Sequence, residues 1–281
     1  MCRLVATLLL ACLAGCALSA PPAGEWLDGR KSAGTELAPD LAELDRLAGE
    51  ALAASEQRPD DVELELAASK ALFQAADLRF QSGCLAALDA LPDATLEQVL
   101  RADERIADAL RTEILSQATA GLAAAERAAG ARPNDVAAAL LRGQHLALIA
   151  WANGPARSLF AGLGPKLVAA IDAAVAADPT FDHGAPLRLQ GRFRSQAPRP
   201  FGDLKLARPS LARACELAPI AVNRLFHGDA LWAAGEHDAA RAEWQAASTA
   251  DGDDSTRASN ASLQELARRR LAALARSAAV R

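Results

Sequence analysis

The sequence is poor in the residues that build β-sheets. It contains no tyrosine, only 4% of its residues are aromatic, and there is a single methionine. Alanine, by contrast, supplies about a quarter of the 281 residues. Because alanine is the strongest helix former, whereas β-branched and aromatic residues favour strands, this composition argues against a β-sandwich or barrel. It predicts an all-α fold.

The sequence also lacks an excess of positive charge. Its net charge is -5 and its isoelectric point is about 5.5. Proteins that bind nucleic acids usually present a basic surface, so nucleic acid is not an expected partner. With 51% hydrophobic and 23% charged residues, the chain has enough apolar side chains to bury a core, which excludes wholesale disorder.

Motifs of the common enzyme classes are missing as well. The sequence contains no GxSxG, HExxH or Walker A motif, no Rossmann glycine run and no CxxC pair. Gly162–Lys166 combines glycines with a lysine, but Pro165 and the lack of a following hydroxyl residue indicate a turn before a helix. The sequence therefore predicts no enzyme activity, no cofactor and no metal. His227 and His237, which have acidic neighbours, leave a metal or acid–base pair as the alternative.

One long apolar run is present, at the N-terminus. Leu4–Leu13 spans about ten residues, half of the roughly 20 that a membrane-spanning helix needs, and it fits the hydrophobic region of a secretory signal. It ends in Leu13–Cys16 (LAGC), which resembles the bacterial lipobox. The resemblance implies that residues 1–15 are a signal peptide and that Cys16 is lipidated. The small residues of Leu18–Ala20 leave ordinary signal-peptide cleavage as the alternative.

The segment after the lipobox predicts where the protein is held. Residues 16–39 contain several prolines and glycines and are expected to form a tether. Ala17 follows the lipobox cysteine, which by resemblance to other lipoproteins of bacteria with two membranes implies sorting to the outer membrane. The predicted location is therefore the periplasmic face of the outer membrane, with the N-terminal lipid as the anchor.

Two cysteines remain once the leader and the lipobox cysteine are set aside. Cys84 and Cys215 are compatible with a disulfide, which an exported protein can form. They are also compatible with small core residues, since Cys215 follows Leu211 at a helical spacing. The sequence leaves both interpretations open.

Residues 40–281 are predicted to form one helical domain. Four prolines mark joints between successive helices, at Pro59, Pro133, Pro179 and Pro219. Proline cannot continue a helix, and it pushes the preceding residue out of the α region. Asp61 and Asp135, which follow the first two prolines, are expected to cap the next helices. Between the hairpins we expect an insert, a single extended helix over Thr95–Ala129.

The clearest helical hairpin covers residues 221–248. A glycine lies where its two helices would cross (Gly228), a turn follows at Gly235, and the second helix carries alanines around Trp244. This pattern resembles the tetratricopeptide repeat (TPR), in which small residues let two helices approach and aromatic rings fill the adjacent volume. Because the proline joints are unevenly spaced, we predict a TPR-like array with long inserts, and not a regular superhelix.

A longer stretch of the chain carries a second resemblance. Its motifs occur in the order Trp151–Gly154, Ala176–Phe181, His183–Arg192 and Gly202–Asp203, followed by a helix that ends at Pro219. Over residues 116–250 this order resembles the T component associated with TRAP-type transporters, a family of TPR-like periplasmic lipoproteins. The resemblance implies an all-helical lipoprotein that pairs with a periplasmic solute-binding protein, and it is compatible with a homotrimer. The loop Gln196–Phe201 departs from the family pattern.

Positive charge is concentrated in one region, between residues 188 and 213. Arg188, Arg192 and Arg199 are candidates for binding a carboxylate or an acidic partner, because a guanidinium pairs with a carboxylate through two hydrogen bonds. Trp151 is a candidate wall for such a pocket, and His183 joins the candidate set. A solvated basic face is the alternative.

The last 31 residues of the sequence, from Asp251, are predicted to form a loop followed by a helix. Residues 251–260 are polar, and the following helix carries an apolar stripe with arginines towards its end. We interpret it as a helix that caps the array, with a membrane-surface helix as the alternative.

These patterns together predict a non-enzymatic periplasmic lipoprotein that binds a protein partner through a TPR-like scaffold. The expected partner is a solute-binding protein of a TRAP-type uptake system, and a small acidic or hydrophobic ligand and self-association into a homo-oligomer are compatible with the same scaffold. The alternative is a general scaffold for cell-envelope assembly with no role in transport.

Overall fold

The computed structural model describes residues 40–250 and 257–279, and within these ranges the chain is all-α. Eleven α-helices and one 3₁₀ helix are present there, with no strand. They are α1 (Leu41–Gln57), α2 (Val62–Asp89), α3 (Leu96–Leu100), the 3₁₀ helix (Ala102–Arg105), α4 (Asp108–Ala131), α5 (Val136–Phe160), α6 (Leu163–Ala177), α7 (Phe181–Gln196), α8 (Leu204–Leu217), α9 (Ala221–Ala233), α10 (His237–Ala247) and α11 (Arg257–Ala279). The predicted signal peptide (1–15), Cys16 and the tether (16–39) lie outside the described residues.

The proline joints separate helices as predicted. Pro59 lies between α1 and α2, and the same holds for Pro133 between α4 and α5. The Asp61 carboxylate accepts a hydrogen bond from the backbone N–H of Leu64 at 3.3 Å, and Asp135 caps α5 in the same way. These caps satisfy backbone donors that a helix N-terminus otherwise leaves without partners.

The predicted single helix over Thr95–Ala129 is wrong. Thr95 does begin a helix, through a capping box with Gln98, but that helix ends at Leu100 and the 3₁₀ helix follows. Ile106 is extended and buried before α4 begins. The break lets α3 pack on α11 while the 3₁₀ helix packs on α2. No proline or glycine lies between Leu96 and Asp108, so the sequence carries no local signal for the break.

Most successive helices pack against each other along the chain, and α2 packs on α4 across the short α3 and the 3₁₀ helix. The last helix, α11, also packs on α2, α3 and α9, so the end of the array returns to its first part. Leu263 and Ala267 on α11 are buried against these helices. The apolar stripe of α11 therefore lies inside the protein, as expected of a capping helix.

Small residues line several helix crossings, as in the predicted hairpin at residues 221–248. There α9 and α10 pack together, and a Cβ on Gly228 would lie 2.6 Å from the Trp244 ring. Trp244 is completely buried. Gly235, with a φ of 84°, turns the chain between the two helices in a conformation that glycine adopts without strain.

Within the described residues, no single helix is both long enough and apolar enough to cross a bilayer. The consecutive helices α5 and α6 meet the length and composition requirements only together, and they are bent by 118° at their junction.

Candidate functional site

Two of the candidate arginines project from α7, which begins with an uncommon backbone turn. Asp182, His183 and Gly184 have positive φ angles of 44°, 58° and 77°. The carbonyl oxygen of His183 accepts a hydrogen bond from the side-chain amide of Asn223 at 3.1 Å. His183 therefore lies at the start of α7, where its backbone is tied to α9.

Arg188 is buried and is bound to that same asparagine. Only 9% of Arg188 is exposed, and its Nη1 donates to Oδ1 of Asn223 at 2.9 Å. The Asn223 amide also donates to the carbonyl oxygens of Ala214 and Ala218 at 3.0 and 2.8 Å. One asparagine thus connects Arg188 to the end of α8, which orients the guanidinium inside the protein.

Arg192, one helical turn further along α7, belongs to an ion-pair cluster centred on Asp229. Its Nη1 lies 3.0 Å from Oδ2 of Asp229, while Arg270 from α11 approaches the same carboxylate at 2.7 Å. Trp244 donates its indole N–H to Oδ1 of Asp229 at 3.1 Å, and the Arg192 guanidinium lies over the Phe226 ring at 4.4 Å. Burial raises the pKa of Asp229, but the two arginines and the Trp244 hydrogen bond hold that pKa below its usual value.

A second carboxyl group, that of Asp77 on α2, lies near Arg188 in the same interior. Gln81 donates to its Oδ2 at 2.6 Å. Burial raises the pKa of Asp77 to about 6, against the opposing effects of the Arg188 charge and the Gln81 hydrogen bond. The Gln81 Oε1 atom is buried without a hydrogen-bond partner. We refer to Asp77, Gln81, Arg188 and Asn223, together with Arg192, Asp229 and Arg270, as the buried polar network.

The arginines of the buried polar network already have hydrogen-bond or ion-pair partners inside the protein. Arg192 shares Asp229 with Arg270, and Arg188 is bonded to Asn223. An acidic ligand would have to compete with these partners for the two guanidinium groups. Arg192 is the more accessible of the two, since 27% of its side chain is exposed.

Trp151 and Arg199 lie outside the buried polar network. The indole of Trp151 packs edge-on against Phe80 at 4.8 Å, donates to Oδ2 of Asp103 at 3.1 Å and lies under Arg111 at 4.4 Å. These contacts join α5 to α2, the 3₁₀ helix and α4. Arg199 is exposed in the loop between α7 and α8. Of the five candidate residues, Arg188 and Arg192 therefore belong to the network, and His183 is bonded to it only through its backbone. Trp151 and Arg199 lie elsewhere.

A cluster of three potential metal ligands lies on the neighbouring helices. Cys215 on α8, His227 on α9 and Glu243 on α10 each offer one ligand atom, and these atoms lie within 4.8 Å of one another. Cys84 and Cys215 are both free thiols, and burial raises the pKa of each to about 12. Sequence reasoning missed this cluster because its members are far apart in the chain and form no local motif.

Sequence reasoning also missed the acids of the buried polar network. Asp77 and Asp229 each follow an alanine or glycine inside a helix, with nothing local to distinguish them from exposed acids. Arg270, one of the arginines in the second half of the last helix, is only 5% exposed and points to Asp229. Such pairs become visible only when the helices are packed.

Among the residues that the structure describes, the two most exposed large apolar side chains are adjacent and lie where α5 meets α6. Leu159 is 65% exposed and Phe160 is 90% exposed, at the end of α5. We call these two residues the apolar tip. Leu206, on α8, is 51% exposed.

No protein-family model matches this chain, and no curated protein is significantly similar to it in sequence. The function proposed below therefore rests on this geometry and on the sequence motifs.

Proposed function

We propose that this chain is a non-enzymatic, lipid-anchored helical scaffold of the periplasm that binds a protein partner through the apolar tip. An isolated apolar side chain on a surface needs no explanation, but adjacent and strongly exposed Leu and Phe side chains favour an interaction site. Buried aromatic residues are frequent energetic centres of protein interfaces. The exposure of Phe160 is the observation on which the proposal depends.

The apolar tip is held by the helices on both of its sides. Gly154, with a φ of 76°, breaks the regular geometry of α5, and the hydroxyl of Ser158 donates to the carbonyl oxygen of Ala150 across the break at 2.8 Å. Gly162, in the left-handed region, then immediately precedes α6. The apolar tip therefore lies at the junction of two packed helices. Because its backbone is already ordered, the tip would lose less conformational entropy when it binds a partner.

The kind of partner follows from the lipobox and from the resemblance to TRAP T components. We propose a periplasmic solute-binding protein of a TRAP-type uptake system, held near the outer membrane by this lipoprotein. Recognition of such a protein surface requires no catalytic group, which agrees with the absence of enzyme motifs from the sequence.

The test is a direct binding measurement with a solute-binding protein encoded beside this chain. Phe160→Asp is expected to weaken binding at least about tenfold, because it places a charge in the centre of the apolar contact. Ala53→Asp, which adds the same charge at an exposed position of α1, is the matched control and should leave the affinity unchanged.

Other outcomes would contradict the proposal in distinct ways. Binding that Phe160→Asp leaves intact would remove the apolar tip from the interface. Self-association of the purified chain that Phe160→Asp abolishes would assign the tip to a homo-oligomer. Purified envelope-assembly proteins that bind in place of the solute-binding protein would favour the general scaffold.

A further inference from the structure

Three side chains from consecutive helices converge at one point of the structure. Cys215 lies near the end of α8, His227 in the middle of α9 and Glu243 in the middle of α10. Their ligand atoms lie within 4.8 Å of one another, close to the separation of atoms that share one metal ion. Small side-chain rotations would close the remaining gap.

The three ligand types suit one metal in particular. A thiolate, an imidazole and a carboxylate are all ligands that zinc accepts in proteins, and a thiolate disfavours magnesium and calcium. All three side chains are partly exposed, with 14% of His227 and 20% of Glu243 accessible, so solvent can supply a fourth ligand. We propose that Cys215, His227 and Glu243 bind a zinc ion, with water completing a tetrahedral site.

The surroundings of the cluster leave the ligand atoms available to a metal. Nδ1 of His227 is buried and lies 3.3 Å from Oε1 of Glu243, an ion-pair contact without good hydrogen-bond alignment. Arg224 binds the other oxygen of that carboxylate, Oε2, at 3.1 Å. Arg224 therefore orients Glu243 from outside the site, as partners of metal ligands commonly do, and leaves Oε1 facing the imidazole.

Zinc binding would replace the proton of the Cys215 thiol, which passes to solvent, so that a thiolate ligates the metal. The ion would then add a link across α8, α9 and α10, in which α9 already packs on both of the other helices. It would act as a structural clamp across the TPR-like hairpin. This site is independent of the apolar tip, and neither proposal depends on the other.

The experiment titrates the full chain, purified in detergent and treated with a chelator, with zinc in competition with a chromophoric chelator. We expect one zinc ion per chain and a rise in melting temperature on binding. Cobalt in place of zinc should give the charge-transfer absorption of a cobalt–thiolate bond. Cys215→Ser should abolish that band and weaken zinc binding by more than about tenfold.

Matched variants separate the site from general effects on folding. Cys84→Ser, at the other described cysteine, should retain both the band and the affinity, because Cys84 lies outside the cluster. His227→Gln and Glu243→Gln, with helical content checked by circular dichroism, should each weaken binding. A wild-type chain that binds no zinc, or zinc binding that survives Cys215→Ser unchanged, would overturn the proposal.

Discussion

At the scale of single residues, the buried carboxyl of Asp77 shows how burial and charge oppose each other. Burial raises the pKa of Asp77 from 3.8 to about 6, whereas Arg188 lowers it. The native state therefore binds a proton at Asp77 more tightly than the unfolded state does. The stabilisation that comes from the protonated Asp77 carboxyl is fully present below about pH 4 and is lost as the pH rises through 6. Ionised Asp77 then costs on the order of 3 kcal/mol.

Asp77→Asn is expected to remove that cost, because a neutral amide can occupy the same place. The variant should be more stable than the wild type by up to about 3 kcal/mol above pH 7, and the difference should vanish near pH 4. Urea unfolding followed by circular dichroism across this pH range measures it. Asp93→Asn, the same change at an exposed acid, should show no such pH-dependent gain.

The informative quantity is the difference in unfolding free energy between variant and wild type at each pH, because a second buried group titrates in the same range. Burial lowers the pKa of His145 to about 4, despite a hydrogen bond to Ser69. Its contribution to stability is present above about pH 6.5 and is lost as the pH falls towards 4, opposite in sign to that of Asp77. The His145 contribution cancels in the difference. An equal difference at every pH would contradict the interpretation of Asp77.

At the scale of elements, the same histidine depends on a glycine in the facing helix. A Cβ on Gly121 of α4 would lie 2.1 Å from the ring of His145 on α5. His145 is fully buried and bonded to Ser69 on α2, so the ring has no free space to enter. Gly121 therefore allows three helices to meet around one imidazole.

Gly121→Ala is expected to destabilise the protein by about 1–3 kcal/mol through overpacking. Gly130→Ala, in the same helix, is the control: no atom lies within 4 Å of its added Cβ, so it should stabilise by about 0.5–1 kcal/mol through helix propensity. Chemical denaturation of both variants gives the two values. If both substitutions changed stability in the same direction, the packing argument would fail.

At the scale of the whole molecule, the last helix decides how the array ends. Arg270 of α11 pairs with Asp229 on α9, and Arg276 donates to the carbonyl oxygen of Ala94 at 2.7 Å. Together with its packing on α2 and α3, these contacts connect the last described helix to the first part of the chain. The domain is therefore held by contacts between segments that are distant in sequence, as well as by those between neighbouring hairpins.

Attachment to a membrane is the prediction that concerns the whole protein. If the lipobox functions, Cys16→Ser removes the acyl anchor and should move the protein from the membrane fraction to the soluble fraction. Cys84→Ser should leave the distribution unchanged, since Cys84 is a buried thiol of α2. Sedimentation of the Cys16→Ser protein with membranes, as for the wild type, would contradict the lipoprotein assignment.

Composition and local signals determined a large part of this fold. Alanine content specified helix, and the proline joints with their capping aspartates separated the helices, because these effects act within a few residues. Gly228 and Trp244 marked the clearest hairpin for the same reason. The break between α3 and α4 left no local signal, so the predicted continuous helix over Thr95–Ala129 was wrong.

Only the tertiary structure decided which side chains meet. Arg192 and Arg270 approach Asp229 from two helices other than its own, and Cys215, His227 and Glu243 converge from α8, α9 and α10. No local sequence motif marks either group. The physical reason is that helix formation and capping depend on residues close together in the sequence. An ion pair or a ligand cluster depends instead on the distance between atoms after the helices have packed. The sequence thus determined the kinds of elements and their ends, and the packing of the helices determined the chemistry between them.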